Sequence, residues 1–352
     1  MATTACLTII LQGGIFELVL WGLGLVKPAL PETNARSAQH QVLPSVECDQ
    51  SMLQTADCPQ QLLFSPKGED SCKTLPHRLV QVTALAVQAR YKEQVGTMAS
   101  KNALEAKGEL LKDKWVLITG ASKGIGEAVA VKFAQQGAKI ALVARSQDKL
   151  EDTAEACKKA GAPEVDVVTC DMKSSKSIDE MAKTLLDRHK CMDVLVNSAG
   201  IFPMEGQTPL EGDPDEWEQN IQINLTGPMR LTRRLTPAMA EKGEGYHINI
   251  SSSAGKHPSP KQCAYSAAKW GMTGFALSSA KALKEHGIRV MTIFPSVVDT
   301  DLARTRMEKE DLNPDNMIKP GDVCELVLLP FKVSANSVPQ EVVLDVMKNP
   351  SA

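Results

Sequence analysis

The 352-residue sequence lacks features that would assign it to several large classes of protein. Its formal net charge is only −3 and it has no basic run with interleaved aromatic residues, which excludes a nucleic-acid binder by bulk electrostatics. Its nine cysteines are odd in number and include no C-x-x-C pair. We therefore expect reduced thiols, no disulfide framework and no metal site, as is typical of a reducing intracellular compartment, the cytosol or an organelle such as the plastid.

The N-terminal segment lacks the marks of a targeting signal. No lysine or arginine precedes Lys27, so a signal peptide would have no basic n-region, and residues 1–97 carry eight acidic residues against three arginines, unlike a transit peptide. Residues 7–26 are apolar and just long enough to span a bilayer, but Glu17 near their middle opposes insertion by roughly 2.5–3.5 kcal/mol. A membrane anchor, an atypical organelle address and a dispensable extension all stay open. The last is favoured because Met98 opens a complete domain by itself.

Composition divides the chain near residue 98. Residues 28–76 are rich in Pro, Gln, Ser and Cys without sustained periodicity, which predicts a poorly ordered linker. Apolar residues at helical spacing predict one helix over 77–95. We therefore predict an N-terminal extension over 1–97 and one domain over 98–352.

Strand-like apolar runs alternate with helical patterns from Lys114 onward. This alternation predicts βαβ units, and hence an α/β fold in which helices cover both faces of a seven-stranded parallel sheet. The predicted strands are Trp115–Thr119, Lys139–Ala144, Val165–Cys170, Asp193–Asn197, Tyr246–Ser251, Ile288–Phe294 and Glu341–Val346.

The first predicted strand runs into a glycine-rich turn and then into an amphipathic helix. Residues 119–126 read Thr-Gly-Ala-Ser-Lys-Gly-Ile-Gly. Glycines here permit a tight turn and let the backbone approach a pyrophosphate at the positive end of the helix, which predicts a dinucleotide site. The predicted cofactor ligands in this turn are Gly120, Ser122, Lys123, Gly124, Ile125 and Gly126.

The residues after the second strand favour NADP(H) over NAD(H). An NAD site usually has an acidic residue about 20 positions beyond the glycines, whereas this chain has Arg145 there and no carboxylate before Asp148. A guanidinium suits a 2′-phosphate, and Lys123 offers a second cation. After the third strand, Asp171 is placed either to hold the adenine amino group or to cap the next helix. Met172 beside it is grouped with the cofactor-binding residues.

Tyr265 and Lys269 are the predicted acid/base residue and the cation that tunes it. They are four residues apart, so in a helix the phenol and the ammonium share one face. A phenol with its usual pKa near ~10 is a poor acid at neutral pH, and a nearby cation lowers that pKa. Ser252 directly follows a predicted strand and is able to donate to a carbonyl oxygen, although serine at such a position is also common in turns. Asn224 lies in a helical pattern, which indicates either a role in the site or a local helix bend.

In their order and spacing, these motifs make residues 98–346 similar to the short-chain dehydrogenase/reductase family, and within it to the 3-oxoacyl-carrier-protein reductase-like ketoreductases. The family's glycine turn resembles Thr119–Gly126, its Asn-Asn-Ala-Gly element resembles residues 197–200, and its Pro-Gly element resembles Pro295-Ser296. Ser296 in place of glycine is expected to cost stability if that position requires a positive φ. By this resemblance, the further cofactor-binding residues are Asn197, Ala199, Gly200, Tyr265, Lys269, Pro295, Val298 and Thr300.

The resemblance implies a single Rossmann-type doubly wound domain and an NADP(H)-dependent oxidoreductase that reduces a ketone or aldehyde, or runs the reverse reaction. Its catalytic tetrad falls on Asn224, Ser252, Tyr265 and Lys269. Tyr265 would donate the proton, and Ser252 would hold the oxygen. Lys269 would bind the nicotinamide ribose and tune Tyr265, and Asn224 would position a water that leads protons from Lys269 to solvent.

The resemblance also implies a homodimer or homotetramer, and it leaves the substrate open between a small-molecule carbonyl and a thioester-linked one. Ile201–Pro209, Lys256–Cys263 and Asp301–Lys319 are expected to line its pocket. The main alternative is a catalytically silent NADP(H)-binding sensor or scaffold, because a fold does not determine a function. Such a protein would be expected to have lost a tetrad residue, and all four are present.

Overall fold

The computed structural model describes residues 5–11, 14–20, 62–65, 93, 96–98, 101, 107–202, 207–303 and 313–350. The chain divides into two units, Met1–Leu85 and Ala86–Ala352.

Three antiparallel strands are described in the first unit. They are β1 Ala5–Leu11, β2 Gly14–Leu20 and β3 Leu62–Ser65, in the order β2-β1-β3. β3 lies within residues 28–76, where no element was predicted, because its pairing with β1 is nonlocal and leaves no periodic pattern in the sequence. Among the described residues, no helix is long and apolar enough to cross a membrane. The helix predicted over 77–95 falls, apart from Glu93, outside the part of the chain that the structure describes.

Seven parallel strands form the sheet of the second unit, which confirms the predicted doubly wound fold. They are β4 Trp115–Thr119, β5 Lys139–Ala144, β6 Val165–Thr169, β7 Val194–Asn197, β8 Gly245–Ile250, β9 Ile288–Pro295 and β10 Glu341–Leu344. Their spatial order is β10-β9-β8-β7-β4-β5-β6. Each predicted strand is present, with its ends at or close to the predicted residues.

Helices connect these strands. They are α1 Gly124–Ala134, α2 Gln147–Ala160, α3 Ser175–His189, α4 Pro214–Ile221, α5 Gly227–Lys242, α6 Cys263–Leu283, α7 Pro320–Val327 and α8 Leu329–Lys332. A π-turn over Gln222–Thr226 joins α4 to α5.

The five inner strands of the sheet are buried on both faces, as their nearly continuous apolar sequences require, and the edge strands β6 and β10 are more exposed. α1, α2 and α7 cover one face, where Phe133 and Leu150 are fully buried. α3 and α5 cover the other face, where Leu185 and Leu235 are fully buried. Burial of each such side chain contributes about 1.5–3 kcal/mol to folding.

The chain reverses its winding direction at β4, which pairs with β5 on one side and with β7 on the other. The connections that leave the carboxyl ends of these strands diverge there, and the resulting crevice is the usual ligand position in doubly wound folds. Residues that directly follow Thr119, Ala144 and Asn197 therefore surround it.

Candidate active site

A cleft of about 630 Å³ opens at this crevice. It is lined by residues that follow β4, β5, β6 and β7 and by the turn after β9. The members of the predicted cofactor set that line it are Gly120, Ser122, Lys123, Gly124, Ile125, Gly126, Arg145, Asp171, Met172, Ala199, Gly200 and Thr300. Lys149, Cys170 and Ile223 also line the cleft and were not predicted.

The turn between β4 and α1 requires glycine at two positions. Gly120 has a φ of +68°, and a β-carbon there would lie 2.8 Å from Cα of Ala199. A β-carbon at Gly126 would lie 2.3 Å from the carbonyl oxygen of Gly120. Side chains cannot approach backbone so closely, so these glycines let separate backbone segments meet. The amino end of α1, where a pyrophosphate is favoured, thereby lines the cleft.

The Thr119 hydroxyl joins this turn to the loop after β7. Its Oγ1 accepts hydrogen bonds from the backbone N of Ser198 (3.1 Å) and Ala199 (3.0 Å) and donates to the carbonyl oxygen of Val196 (3.3 Å). Thr119 is fully buried, so water does not compete for these bonds. The two loops that line the cleft are therefore held at a fixed separation.

Positive side chains gather where the cleft passes the end of β5. Lys123 lies in the glycine turn, Arg145 follows β5, and Lys149 lies in the first turn of α2. Among the described residues, no carboxylate is within ion-pair distance of any of the three. Lys149 was missed because nothing in the sequence distinguishes it from other surface lysines at the start of a helix.

Asp171 lines the cleft and does not cap a helix. The N-cap of α3 is Ser174, whose hydroxyl accepts from the backbone N of Ser177 (3.2 Å). Oδ1 of Asp171 accepts from the backbone N of Lys173 (3.0 Å), which orients the carboxylate. The interpretation of Asp171 as a helix cap was wrong, because the helix begins later than the sequence pattern indicated. Its contact with a nucleotide base stays a prediction.

Lys269 lies beside Tyr265 on α6. Its Nζ is 5.5 Å from the centroid of the Tyr265 ring and donates to the carbonyl oxygen of Ile250 (3.3 Å). Lys269 is buried, and this burial lowers the pKa of its ammonium from 10.5 to about 8. Because little water screens it, the charge acts strongly on groups close to it.

Phe202 packs edge-on against Tyr265, with 4.9 Å between the ring centroids and an angle of 65° between the rings. Such edge-to-face contacts restrict ring orientation. Phe202 follows Ile201, which lines the cleft. The surroundings of the Tyr265 ring are therefore partly apolar.

Asn224 occupies the π-turn between α4 and α5 and is buried. Its Nδ2 donates to the carbonyl oxygen of Ile201 (2.9 Å) and to Oδ1 of Asn220 (2.9 Å), and its Oδ1 accepts from the backbone N of Ile201 (3.2 Å). A β-carbon at Gly200 would lie 2.8 Å from Oδ1 of Asn224 and 3.9 Å from Nζ of Lys269. The π-turn is therefore the local helix irregularity expected at Asn224. The Asn224 amide and the Lys269 ammonium both lie close to Gly200 in the cleft wall.

Ser252 lies in the turn after β8. Its Oγ accepts from the backbone N of Ala254 (3.2 Å), so turn chemistry is present and the hydroxyl proton is left to donate. Thr273 ties this turn to α6, because its Oγ1 is 3.0 Å from the carbonyl oxygen of Lys269 and 3.3 Å from that of Gly255.

Five residues of the predicted cofactor set are not among the residues that line the cleft: Tyr265 and Lys269 on α6, described above, and the following three. Asn197 is buried, and its Nδ2 donates to Oδ1 of Asn249 (2.9 Å), which joins β7 to β8. Pro295 ends β9, and Val298 is buried and pairs through its backbone with Ile318. These last three residues support the cleft wall from behind.

The strain expected at Ser296 is not found. Positive φ among described residues other than glycine occurs at Asp113 and Lys190, and Ser296 is not one of them. Its backbone N donates to the carbonyl oxygen of Leu344 (2.8 Å). The condition for strain is therefore not met, and this backbone pairs with the edge strand β10.

The segments predicted to line the substrate pocket are described only in part. Ile201, Asp301 and Leu302 line the cleft, whereas residues 203–206 and 304–312 fall outside the described ranges. In the middle segment, the ammonium of Lys256 pairs with Glu341 (2.6 Å). The pocket beyond Leu302 therefore stays a prediction.

The comparisons with known proteins agree with this geometry. The model of the short chain dehydrogenase family matches residues 114–311. An uncharacterized oxidoreductase of Staphylococcus aureus is 31% identical over 235 residues, which are 65% of this chain and 97% of the relative.

Two solved structures are similar to most of the second unit. A metagenomic short-chain oxidoreductase in complex with NADP has a TM-score of 0.59 and 33% identity, covering 68% of this chain and 100% of that one. A single-residue variant of actinorhodin polyketide ketoreductase with NADPH has a TM-score of 0.61 and 28% identity, covering 66% of this chain and 95% of that one.

Proposed function

The chain belongs to the short-chain dehydrogenase family, and from this premise we propose that it is an NADP(H)-dependent oxidoreductase that interconverts a carbonyl and an alcohol. The observation that carries the proposal is the division of the cleft. Cationic Lys123 and Arg145 line the part of the cleft that we call the nucleotide end, and Lys269 and Asn224 meet beside Gly200, at the part that we call the chemical end. A dinucleotide with a charged ribose phosphate and a reacting nicotinamide needs both kinds of surroundings.

The described residues fit such a dinucleotide. The backbone at Gly120 and Gly126 has no room for a side chain, which is the form of a pyrophosphate cradle. The chain has Arg145 where an NAD site usually has an acid. The NADP and NADPH in the two similar structures support the same cofactor for this chain.

When bound, the cofactor supplies or accepts the hydride. Tyr265 donates its phenolic proton to the substrate oxygen during reduction and recovers it during oxidation. Ser252 holds that oxygen through the hydroxyl proton that its turn leaves available. Lys269 stabilises the phenolate, and Asn224 positions the water through which protons reach Lys269 from solvent.

The finer proposal concerns the substrate, a ketone or aldehyde whose carbonyl is flanked by apolar groups, with 3-oxoacyl thioesters as one class. Phe202 against Tyr265, together with Ile223 and Leu302 in the cleft, supports uncharged groups near the reacting carbon. The polyketide ketoreductase among the similar structures supports a ketone.

We also propose a homodimer or homotetramer. Trp270 and Leu277 on α6 are 49% and 36% exposed, and their seven-residue spacing gives α6 an apolar outer face. Such a face is suited to a second copy of the chain.

The test is a fluorescence titration of the full-length protein with NADPH and NADH, followed by turnover on a panel of ketones, aldehydes and an acetoacetyl thioester. The expected result is tighter binding of NADPH and turnover of at least one carbonyl. Tight NADPH binding without turnover on any carbonyl would favour the silent sensor. Absence of binding of both nucleotides by the folded protein would contradict the proposal.

A further inference from the structure

The nucleotide end of the cleft is lined by three cationic side chains, whereas the sequence predicted two. Lys149 lines the cleft together with Lys123 and Arg145, and all three side chains are exposed to solvent. The acidic residues of the lining are Asp171, which follows β6, and Asp301, which follows β9. The charged residues that line the cleft near the end of β5 are therefore all positive.

Other lysines of the same domain lie against carboxylates. Nζ of Lys132 is 2.5 Å from Glu325, and Nζ of Lys139 is 2.6 Å from Glu164. For Lys149, by contrast, no carboxylate in the described ranges is within 4.0 Å, although Asp148 and Asp152 are close in sequence. Cations that line the same cleft without a counterion raise its positive potential, so this part of the cleft favours an anionic ligand.

The stability of α2 does not account for a lysine at position 149. Lys149 is the third residue of the helix, where the capping pattern begun by Ser146 prefers Glu or Gln, and the positive end of the helix dipole disfavours a cation. The Ser146 hydroxyl makes no capping hydrogen bond within the described helix. Lys149 therefore departs from what the helix favours, and both it and Ser146 line the cleft.

We propose that Lys149 is a specificity-determining residue that binds the 2′-phosphate of NADP(H) together with Lys123 and Arg145. This inference rests on the proposed function and assigns its cofactor preference to a third side chain. A phosphomonoester carries between one and two negative charges at neutral pH, whereas NAD(H) presents a neutral hydroxyl at the same place. A third cation therefore strengthens the binding of NADP(H) alone.

The experiment compares Lys149→Gln with the wild type in full-length protein, using NADPH, NADH, adenosine 2′,5′-bisphosphate and 5′-AMP as probes. Lys159→Gln is the matched control, because Lys159 is an exposed lysine in the last turn of the same helix and does not line the cleft. For Lys149→Gln we expect the Kd of the two 2′-phosphorylated probes to rise about tenfold at low salt, the factor that one charge-assisted contact supports. The Kd of NADH and 5′-AMP should stay within twofold, which also reports that the variant is folded.

Two outcomes would overturn the assignment of Lys149. One is NADPH binding within twofold of wild type in Lys149→Gln while Lys123→Gln weakens it. The other is an equal loss for NADPH and NADH, which would indicate general damage to the cleft. Failure of the proposed function is distinguishable, because a wild-type protein without preference for NADPH reveals it before any substitution is made.

Discussion

The two ends of the cleft are built by different physical means. At the nucleotide end the backbone does most of the positioning, since Gly120 and Gly126 allow segments to meet and the cations around them remain in solvent. At the chemical end buried side chains do the positioning, because Asn224 and Lys269 are buried and meet beside Gly200.

This difference has a consequence for stability. The nucleotide end depends on steric fit at its glycines, and its cations are exposed, so water screens the repulsion between them. The chemical end holds a buried ammonium, and burial of a charge opposes folding. We therefore expect substitutions at the first end to act mainly on nucleotide binding, and substitution of the buried Lys269 at the second end to lower activity while it raises stability.

The largest effect on binding is expected from Gly120→Ala. The new β-carbon would lie 2.8 Å from Cα of Ala199 at a φ of +68°, so the two loops must separate. The Kd of NADPH and of NADH should both rise at least ~100-fold. The control is Gly274→Ala on α6, where a β-carbon meets nothing within 4 Å in the described structure and should stabilise the helix by about 0.5–1 kcal/mol. Wild-type nucleotide binding by Gly120→Ala would contradict the claim that the nucleotide end depends on the close approach of backbone at Gly120.

Lys269→Met should lower turnover and raise the free energy of unfolding. Turnover should fall at least ~100-fold, as for loss of an acid–base component. The lowering of the Lys269 pKa to about 8 means that burial of its charge destabilises the wild type by roughly 3 kcal/mol. The variant also loses the hydrogen bond to Ile250, which stabilises the wild type by about 1 kcal/mol. The variant should therefore be about 2 kcal/mol more stable than the wild type at pH 7.

The pH dependence of the same variant sharpens this test. Between pH 8 and 10.5 the unfolded wild type binds more protons at this lysine than the folded one, so wild-type stability should rise with pH across that window. Lys269→Met should lose this rise. Chemical denaturation at several pH values measures it, and a variant less stable than wild type at pH 7 would contradict the assumed cost of burial.

The smallest effect on activity is expected from His247→Ile, at a buried titratable group outside the cleft. Both ring nitrogens of His247 lack a hydrogen-bond partner among the described residues, and burial lowers its pKa from 6.5 to about 4. Because the unfolded state binds this proton first, wild-type stability should fall by roughly 3 kcal/mol from this residue as pH drops from 6.5 to 4. His247→Ile should lose that part of the acid sensitivity and keep its turnover at neutral pH. An unchanged acid transition would show that the ring does not titrate as its burial requires.

The sequence predicted the sheet and the glycine turn well because both depend on local patterns. Seven apolar runs and the spacing of Gly120, Gly124 and Gly126 are visible without knowledge of neighbours. The points that the sequence left open or predicted wrongly depend on where other segments lie. Asp171 caps no helix because α3 begins later, and Ser296 has no positive φ and pairs with β10.

Two features were not predicted for the same reason, the position of Lys149 and the π-turn that contains Asn224. Lys149 is an ordinary surface lysine in sequence, and only the packing of α2 beside the glycine turn brings it to the cleft. Asn224 was indicated as unusual for a helix, but the π-turn that aims its amide at Gly200 has no sequence signature of its own. Nonlocal packing, which propensity does not encode, explains both cases.

The measurement that tests the account most directly is the pairing of NADPH binding with turnover in Tyr265→Phe. The substitution removes one hydroxyl and keeps the ring that packs against Phe202, so the cleft should keep its shape. The account predicts an NADPH Kd within about twofold of wild type and a loss of ketone reduction of at least ~100-fold, because the proton donor is absent while the nucleotide end is intact. Ketone reduction at a near wild-type rate by this variant would contradict the separation of the two ends and the assignment of Tyr265 as the acid.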